Sequence, residues 1–384
     1  MKICLVGLHN LPALAPEFRN NTVGGESVQQ TLLARALARH GHDVSMVVAD
    51  YGQADGVEFQ CIRVLKAYRF QAGIPVLRFI HPRWTGLWSA LMRADADLYY
   101  TSCAGMQVGL MAMFCRYFGK RFVFRSASDS DCDRSRLLVQ YRRDRWLYEY
   151  GLRRADAILV QSAFQAQTLL RSYGLHGRIA GMLVESSPVT ATPDIDVLWL
   201  GNIRKVKRPD RVLELADQLT DIQFHLAGGP LPGEEALYDE VRSAAATRAN
   251  ITFHGPLTYW AANEMCGRAK LLLNTSDVEG FPNTYLQAWI RGVPVVTLID
   301  PDHVIAREGL GAAAGSPAEL PGMVKALLGN PTAYQQARER CTRFMAREFA
   351  EDKILSAYLD TFERILPAGH AGSTVIPSSE SPHA

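Results

Sequence analysis

An acidic residue directly precedes a helix-forming stretch in the later part of the chain. The segment EGFPNTYLQAWIRGVPVV begins at Glu279 and continues through turn-forming residues into an apolar helix and strand. Pro282 suits a turn or the first helical position, and Asn283 or Thr284 can cap the helix. Free N–H groups of a first helical turn bind phosphate, and a neighbouring carboxylate can accept hydrogen bonds from sugar hydroxyls. The pattern predicts a phosphate site with a sugar beside it; the alternative is a surface acid and a half-buried Gln287.

A group of basic residues forms the second candidate. The segment LWLGNIRKVKRPD, residues 198–210, ends a strand at Gly201 and continues through a loop into a helix. The loop carries four cations, which are Arg204, Lys205, Lys207 and Arg208. Cations at the point where a sheet meets a crevice can bind a diphosphate. The alternative is an exposed basic turn without a ligand.

The third candidate is a pair of glycines between a strand and a helix. In VGGES, residues 23–27, Gly24 and Gly25 allow backbone N–H groups to approach a ligand closely. The helix that follows presents its N-terminus, which favours negative charge. Such a pair is also common in simple turns, so a turn without a ligand is the alternative.

These candidates lie near the ends of predicted strands, in a chain that alternates strand and helix patterns. MKICLVGL, DLYYTS, RFVFRSA and AILVQS are predicted strands, and ESSPVTATPD is a predicted linker. The alternation restarts at DVLWLGN and continues to VPVVTL. This pattern predicts an α/β fold with a doubly wound parallel sheet in each half. Because open α/β sheets bind ligands at the carboxyl ends of their strands, we expect the ligand between the halves.

Composition limits the class of protein. With 384 residues, of which 48% are hydrophobic and 21% charged, the chain is long enough for two globular domains. Residues 367–384 mix Pro, Gly, Ser and Ala without periodicity, which predicts a disordered tail. Seven cysteines without a CxxC pair favour free thiols, and no apolar run approaches the roughly 20 residues that span a bilayer. These features predict a cytoplasmic protein.

Charge differs between the two halves. Residues 1–190 contain 23 Lys and Arg against 15 Asp and Glu, whereas the remainder contains 18 against 24. RVLKAYRFQAGIPVLRFIHPRW and QYRRDRWLYEYGLRR interleave basic with aromatic residues. Such surfaces suit anionic partners, including phospholipid headgroups, lipid diphosphates and nucleic acid. A solvated arginine-rich helix is the alternative.

Three motifs together resemble a known enzyme family. GGES followed by LARALARHGHDVSMV, GNIRKVKRPD before a helix, and S-DVEGFPNTYLQAWIRGVPVV occur in this order. They resemble the retaining glycosyltransferases of the family 4 type, also called glycosyl transferases group 1, and the resemblance spans nearly the whole chain. It implies the GT-B fold, in which two Rossmann-like doubly wound domains face an interdomain crevice.

The resemblance also implies a division of labour between domains. Residues 1–190 are the expected acceptor-binding domain, and residues 191–350 are the expected domain for the nucleotide-sugar donor. The helix at 351–366 is expected to pack back on the first domain. The implied partners are a UDP-, GDP- or ADP-linked sugar and a saccharide or lipid-linked acceptor, with no nucleic acid. Contact with the inner face of a membrane through the basic first domain is a further expectation.

The resemblance assigns roles to individual residues. Lys207 matches the lysine that neutralises the departing diphosphate, and Glu279 matches the acid that holds the hydroxyls of the donor sugar; these two are the expected catalytic residues. The expected donor-binding residues are Gly24, Gly25, Asn202, Arg204, Phe281, Pro282, Asn283, Thr284 and Gln287. No cofactor or metal is expected, because lysine and helix N-termini suffice for the diphosphate.

The chain departs from the family pattern at three places. Gln287 stands where a second glutamate usually contacts the ribose, and Asn202 stands where an arginine is common, so that Arg204 or Lys205 would supply the cation. RFVFRSASDSDCD, residues 121–133, lacks the histidine that many relatives place near the sugar. Its role would then fall in part to Arg125, Ser128 or Asp129.

The resemblance implies a transferase that moves a sugar to an acceptor hydroxyl with retention of configuration, in a polysaccharide or glycolipid pathway. Two alternatives remain at this point. One is a nucleotide-sugar epimerase of the same fold. The other is a catalytically impaired nucleotide-binding protein, which the three departures would explain.

Overall fold

The computed structural model describes residues 1–18, 24–75, 77–185, 192–231 and 233–367. Most of the predicted linker at 185–194 lies outside these residues, and so does the predicted tail apart from residue 367.

The first half of the chain forms an eight-stranded sheet. In chain order the strands are β1 Lys2–Val6, β2 Asp43–Val48, β3 Val57–Phe59, β4 Ile62–Lys66, β5 Leu98–Ser102, β6 Arg121–Arg125, β7 Ala157–Val160 and β8 Arg178–Ile179. Their spatial order is β3-β4-β2-β1-β5-β6-β7-β8, and all neighbours are parallel except the edge pair β3 and β4. The central strand β1 is an almost continuous apolar run because helices cover both faces of a parallel sheet.

Helices lie on both faces of this sheet. They are α1 Leu11–Leu14, α2 Gly25–Arg39, α3 Thr85–Ala94, α4 Met106–Phe118, α5 Asp129–Cys132, α6 Arg142–Leu152 and α7 Ala163–Tyr173. Cys4 and Val6 of β1 pack in one buried cluster with residues of α3, α4 and α6. Ile3 and Leu5 of the same strand pack in another with residues of α2. The alternation of side chains along a strand therefore supplies both cores.

The second half of the chain forms a six-stranded sheet that is parallel throughout. Its strands are β9 Ile195–Leu200, β10 Phe224–Ala227, β11 Ile251–Gly255, β12 Ala269–Asn274, β13 Val295–Thr297 and β14 Gly311–Ala313, in the spatial order β11-β10-β9-β12-β13-β14. The helices are α8 Asp210–Gln218, α9 Glu235–Ala246, α10 Tyr259–Arg268, α11 Asn283–Trp289, α12 Val304–Glu308, α13 Leu320–Leu328, α14 Pro331–Glu348 and α15 Glu351–Ile365. The predicted pair of doubly wound α/β sheets is confirmed.

The last two helices belong to different cores. In α14, Cys341, Phe344 and Met345 are buried with residues of the second sheet. In α15, the buried side chains instead join Ile3 and Leu5 of β1; they are Ile354, Leu355, Tyr358 and Phe362. The chain thus returns to the first sheet after Phe349, which is partly buried against both cores.

The carboxyl ends of the two sheets face each other. Gln161, which directly follows β7, accepts a hydrogen bond from the backbone N–H of Phe281 in the loop after β12 at 3.0 Å. Asp302, from the loop after β13, accepts hydrogen bonds from the backbone N–H groups of Ala163 and Phe164 at 2.8 and 3.1 Å. These contacts close one end of the crevice predicted from the strand pattern.

Candidate functional site

A carboxylate with hydrogen-bonded support lies in the loop between β12 and α11. Ser276 Oγ donates to Glu279 Oε1 at 2.7 Å, and Asn274 Nδ2 approaches the same oxygen at 3.5 Å. The side chain of Glu279 is 12% exposed. Partial burial strengthens its electrostatic interactions while leaving it open to a ligand.

Lys207 lies against this carboxylate. Its Nζ forms an ion pair with Glu279 Oε1, and its side chain is 24% exposed. Lys207 ends a 3₁₀ turn, Lys205–Lys207, that follows β9. Thr275 Oγ1 lies 2.9 Å from the carbonyl oxygens of both Lys207 and Arg208 and accepts a hydrogen bond from Trp199 Nε1 at 2.9 Å. The loops after β9 and β12 are therefore fastened together, and this holds the lysine beside the acid.

The other predicted cations have different environments. Arg208 donates to Asp210 and also pairs with Asp277 at 3.5 Å, so it holds the loop at the start of α8. Among the described residues, no ion-pair partner lies near Arg204, which is half-buried, or near Lys205, which is exposed. Arg208 is consequently bound to carboxylates of its own domain, and Arg204 and Lys205 remain available for an anion.

Asn202 stands in a tightly packed backbone connection. It follows Gly201, whose carbonyl oxygen would lie 1.8 Å from a Cβ added at Gly228. The next residue, Ile203, donates its N–H to Gly229 O at 2.8 Å. Asn202 itself is half-buried at the carboxyl end of β9.

The start of α11 differs from the sequence-based expectation. Pro282 is the N-cap residue, with φ −66° and ψ 126°, and no side chain caps the helix. The prediction that Asn283 or Thr284 caps it is wrong, because proline already fixes an extended turn and Asn283 becomes the first helical residue. Asn283 Oδ1 is instead buried without a hydrogen-bond partner among the described residues.

The N-terminus of α2 meets this part of α11 across the crevice. Gly24 is the N-cap of α2, and a Cβ added there would meet nothing within 4 Å. A Cβ added at Gly25 would lie 2.4 Å from Asn283 Nδ2. The second glycine is therefore required by close packing between domains, and the first borders open space. The preceding Val23 lies outside the described residues.

Gln287 is half-buried in the middle of α11 and lies near Tyr259 at the start of α10. Burial raises the pKa of Tyr259, and side-chain hydrogen bonds with Asn263 and Gln287 lower it. The amide of Gln287 can therefore form a hydrogen bond with the Tyr259 hydroxyl without introducing a charge.

The three residues proposed to replace the missing histidine have separate environments. Arg125, at the end of β6, is 1% exposed and pairs with Glu26 of α2 at 3.1 Å. Ser128 caps α5 through a hydrogen bond from the backbone N–H of Ser130. The charge of Glu279 in the second domain contributes to the raised pKa of Asp129. Arg125 and Ser128 thus hold the local structure, and Asp129 interacts with Glu279 through its charge.

Burial is the main reason why the pKa of Asp129 is raised to about 6. The carboxylates of Asp302 and Glu279 raise it further, whereas a hydrogen bond from Gln165 Nε2 at 3.0 Å and the charge of Arg136 lower it. Asp129 can therefore exchange a proton near neutral pH, which is the property of a general acid or base.

Sequence reasoning missed the residues that connect the domains, Gln161, Gln165 and Asp302. Gln165 accepts from Ser126 Oγ at 2.6 Å and donates to Gln161 Oε1 at 3.3 Å. Of these three residues, only Gln161 could have been selected from the sequence, because it directly follows a strand of a parallel sheet, where ligand sites lie.

Two family models match the chain. The glycosyl transferase 4-like domain matches residues 24–180, and the glycosyl transferases group 1 domain matches residues 194–330. Together they include every strand except β1. The chain belongs to the group 1 glycosyltransferases. Lys207 and Glu279 both lie in the part that the group 1 model matches.

Relatives of this group 1 glycosyltransferase agree with its fold. The α-galactosylglucosyldiacylglycerol synthase of Streptococcus pneumoniae is 28% identical over 171 residues, which are 44% of this chain and 45% of that protein. The matched region thus spans about half of the curated relative. The sucrose-phosphate synthase of Thermosynechococcus elongatus has a TM-score of 0.72 at 18% identity, covering 94% of this chain and 98% of that one.

Anabaena HepE, solved in complex with UDP and glucose, has a TM-score of 0.72 at 15% identity, covering 94% of this chain and 99% of that one. At these identities the structural likeness establishes the fold, and the GT-B prediction is confirmed.

The loop that carries Glu279 in this glycosyltransferase offers a steric test. A Cβ added at Gly280 would lie 2.5 Å from Gln161 Oε1 and 3.2 Å from Ala127 O. We expect Gly280→Ala to separate the domains at this point and to lower the free energy of unfolding by about 1–3 kcal/mol, the usual cost of overpacking. Urea unfolding checks this. Gln161→Ala frees part of the space, so the double variant should lose less stability than the sum of the single effects.

Asp129 gives a prediction for the pH dependence of stability. Its pKa of about 6 in the folded protein exceeds the ordinary 3.8, so the folded chain binds a proton that the unfolded chain releases between these values. Its contribution to the free energy of unfolding therefore falls as pH rises from about 4 to 6. Urea unfolding should show Asp129→Asn gaining up to about 2–3 kcal/mol relative to wild type over this range. A difference that does not change with pH would contradict the assignment.

Proposed function

We propose that this protein transfers a sugar from a nucleotide-diphosphate donor to an acceptor hydroxyl with retention of anomeric configuration. The observation that carries the proposal is the ion pair between Lys207 and Glu279, two partly exposed residues at the carboxyl ends of adjacent strands β9 and β12. The cation can bind the phosphate groups of the donor, and the hydrogen-bonded carboxylate can accept hydrogen bonds from the hydroxyls of its sugar. The match to both family domains supports this reading.

Each residue of the pair has a distinct role in this mechanism. Lys207 stabilises the negative charge that grows on the diphosphate as its bond to the sugar breaks, which is the kind of interaction that lowers an activation barrier. Glu279 accepts hydrogen bonds from the sugar hydroxyls and orients the ring. The N-terminus of the fifteen-residue helix α2 adds positive potential on the other side of the crevice.

Retention follows if both substrates react on one face of the sugar. The bond from C1 to the diphosphate oxygen breaks, the bond from C1 to the acceptor oxygen forms on the same face, and the acceptor proton passes to the departing diphosphate. No covalent intermediate with the protein is required. We further propose that Asp129, whose pKa is raised to about 6 mainly by burial, assists the movement of the acceptor proton toward the diphosphate.

We expect the transfer to need no metal, because Lys207 and the N-terminus of α2 can stabilise the charge of the diphosphate. The described residues contain no group of three or more His, Cys, Asp or Glu side chains that could hold a metal ion. In the DSD sequence, Asp131 accepts hydrogen bonds from the backbone N–H groups of Ala127 and Ser128, and Asp129 accepts from Gln165. These carboxylates are therefore used within the protein. Transfer that persists in excess EDTA is the expected result.

The proposed setting is the synthesis of a glycolipid or polysaccharide. The pneumococcal relative is by its name a glycolipid synthase, and the first domain of this chain is basic. The nucleotide is one of UDP, GDP and ADP, and HepE was solved with UDP.

The deciding experiment first screens these nucleotides and their sugars by thermal shift, because a ligand of the folded state raises apparent stability. The donor that binds is then incubated with saccharide and diacylglycerol-based acceptors, and the anomeric configuration of the product is determined by NMR. A product of inverted configuration would contradict the mechanism. Isomerisation of the donor without acceptor would indicate an epimerase, and binding without transfer or hydrolysis would indicate a nucleotide-binding protein.

A further inference from the structure

The first domain carries an exposed surface of apolar and aromatic side chains, here named the arginine-aromatic face. It is formed by residues 74–84, apart from the undescribed residue 76, and by residues 141–150. Its large exposed side chains, with their exposed fractions, are Ile74 at 69%, Leu77 at 58%, Ile80 at 58%, Tyr141 at 59% and Trp146 at 61%. Single exposed apolar residues are ordinary, but a contiguous group indicates a contact surface.

Direct contacts join the two segments of the face. The guanidinium carbon of Arg143 lies 3.6 Å from the centre of the Phe79 ring, and Phe79 packs edge-on against Trp84. In the second segment the rings of Trp146 and Tyr150 stack with centres 5.5 Å apart. The exposed apolar residues are therefore parts of one surface rather than separate sites.

Unpaired positive charge accompanies these side chains. Arg78 and Arg142 are exposed, and neither has an ion-pair partner among the described residues. The acids of α6 are already neutralised locally, since Asp144 pairs with Arg143 at 2.7 Å and Glu149 pairs with Arg145 at 3.3 Å. The face thus presents a net positive charge with apolar groups between the arginines.

The face borders the side of the domain that looks toward the crevice. Residues 74–84 lie in the connection that follows β4, and α6 begins after β6 and α5. The carboxyl ends of parallel strands share one edge, and this edge carries Gln161, which contacts the second domain. A surface next to that edge lies near the entry for an acceptor.

We propose that the arginine-aromatic face binds the surface of an anionic lipid bilayer and thereby presents the crevice to a lipid-linked acceptor. This deepens, and rests on, the proposed function. Trp and Tyr rings and arginine side chains with apolar stems are suited to the headgroup region, where one end of the side chain is apolar and the other polar. No described helix is long and apolar enough to cross a bilayer.

An acidic protein would also be attracted by the arginines. Binding to an acidic protein gives no reason for Ile74, Leu77 and Ile80 to be exposed close together in a segment without acidic residues. Insertion among acyl chains requires such exposed apolar side chains. The combination of apolar protrusions and unpaired arginines therefore favours lipid over an acidic protein surface.

Vesicle sedimentation tests the proposal with the full-length protein. Vesicles of phosphatidylcholine alone are compared with vesicles containing about 30% phosphatidylglycerol, and only the latter are expected to bind strongly, with binding weakened by salt. Leu77→Glu combined with Ile80→Glu, and separately Arg78→Glu combined with Arg142→Glu, should each reduce the partition coefficient at least about tenfold. Circular dichroism and thermal unfolding confirm that the variants fold.

Tyr117 provides the matched control. It is 77% exposed on α4, which ends before β6 and hence at the opposite edge of the sheet, so Tyr117→Glu should leave vesicle binding unchanged. Equal binding by wild type and both double variants, or binding of the wild type to an acidic polypeptide but not to vesicles, would overturn the inference.

Activity with a soluble acceptor separates this inference from the proposed function. If the variants lose vesicle binding but retain transfer to a water-soluble acceptor, both stand. Transfer without any vesicle binding by the wild type overturns only the membrane inference. Vesicle binding that depends on the face, in a protein without transfer, supports the membrane contact and overturns the proposed catalysis.

Discussion

Replacing Lys207 by alanine is expected to lower the rate of sugar transfer by roughly two to three orders of magnitude, the loss typical when one group that stabilises developing charge is removed. The reason is that Lys207 is the cation held against Glu279 by the fastened loops after β9 and β12. Its effect should fall mainly on kcat, because the charge on the diphosphate grows in the transition state. Steady-state kinetics with saturating donor measures this effect.

Lys205→Ala is the matched control for this substitution. Lys205 lies in the same 3₁₀ turn and is exposed, without an ion-pair partner among the described residues. Because Lys205 is available for an anion but is not held against Glu279, Lys205→Ala should raise the KM for the donor and leave most of kcat. Similar losses of kcat in both variants would mean that the loop as a whole contributes charge, and that the position of Lys207 has no special role. Glu279→Gln, which keeps the shape of the side chain but removes the charge, should also lose transfer while the protein remains folded.

The second large effect is expected on stability, from Glu26→Ala. Arg125 is 1% exposed, its only ion-pair partner among the described residues is Glu26, and two of its nitrogen atoms have no hydrogen-bond partner there. Burial raises the pKa of Glu26, and the guanidinium opposes this shift. Removing the carboxylate leaves a buried charge uncompensated, which costs about 3–5 kcal/mol of the free energy of unfolding. Urea denaturation with a constant slope provides the measurement.

Two further variants separate charge burial from the loss of contacts. Replacing Glu26 and Arg125 together by leucine and methionine removes both charges, and its cost should be well below that of Glu26→Ala. Glu58→Ala, on the exposed side of the edge strand β3, should change stability by less than about 0.5 kcal/mol. A double variant as unstable as Glu26→Ala would show that packing, and not an unpaired charge, is responsible.

Most of the architecture was accessible from the sequence because it depends on patterns within single segments. The apolar run of β1, the helical spacing of α2 and the restart of the pattern at β9 each follow from burial on both faces of a parallel sheet. The antiparallel hairpin β3–β4 was missed, because its partly exposed short strands carry little apolar signal.

The candidate site was predictable only in part. Lys207 and Glu279 were selected separately from strand ends and motifs, and the structure brings them into contact. The capping of α11 was predicted wrongly because the pattern of turn-forming residues does not show that proline occupies the N-cap position. Contacts between distant segments, such as that of Gln161 with Phe281, leave no local pattern in the sequence. Glutamine occurs commonly in both loops and helices, so its presence at position 161 did not indicate a contact.

The return of the last helix to the first sheet affects how the protein is made. Ile3 and Leu5 are synthesised long before Leu355 and Phe362, with which they share a core. Domains usually fold in order as the chain is synthesised. Here α2 covers part of the apolar face of the first sheet, and the rest stays uncovered until α15 arrives, so the nascent first half exposes apolar surface to chaperones and aggregation.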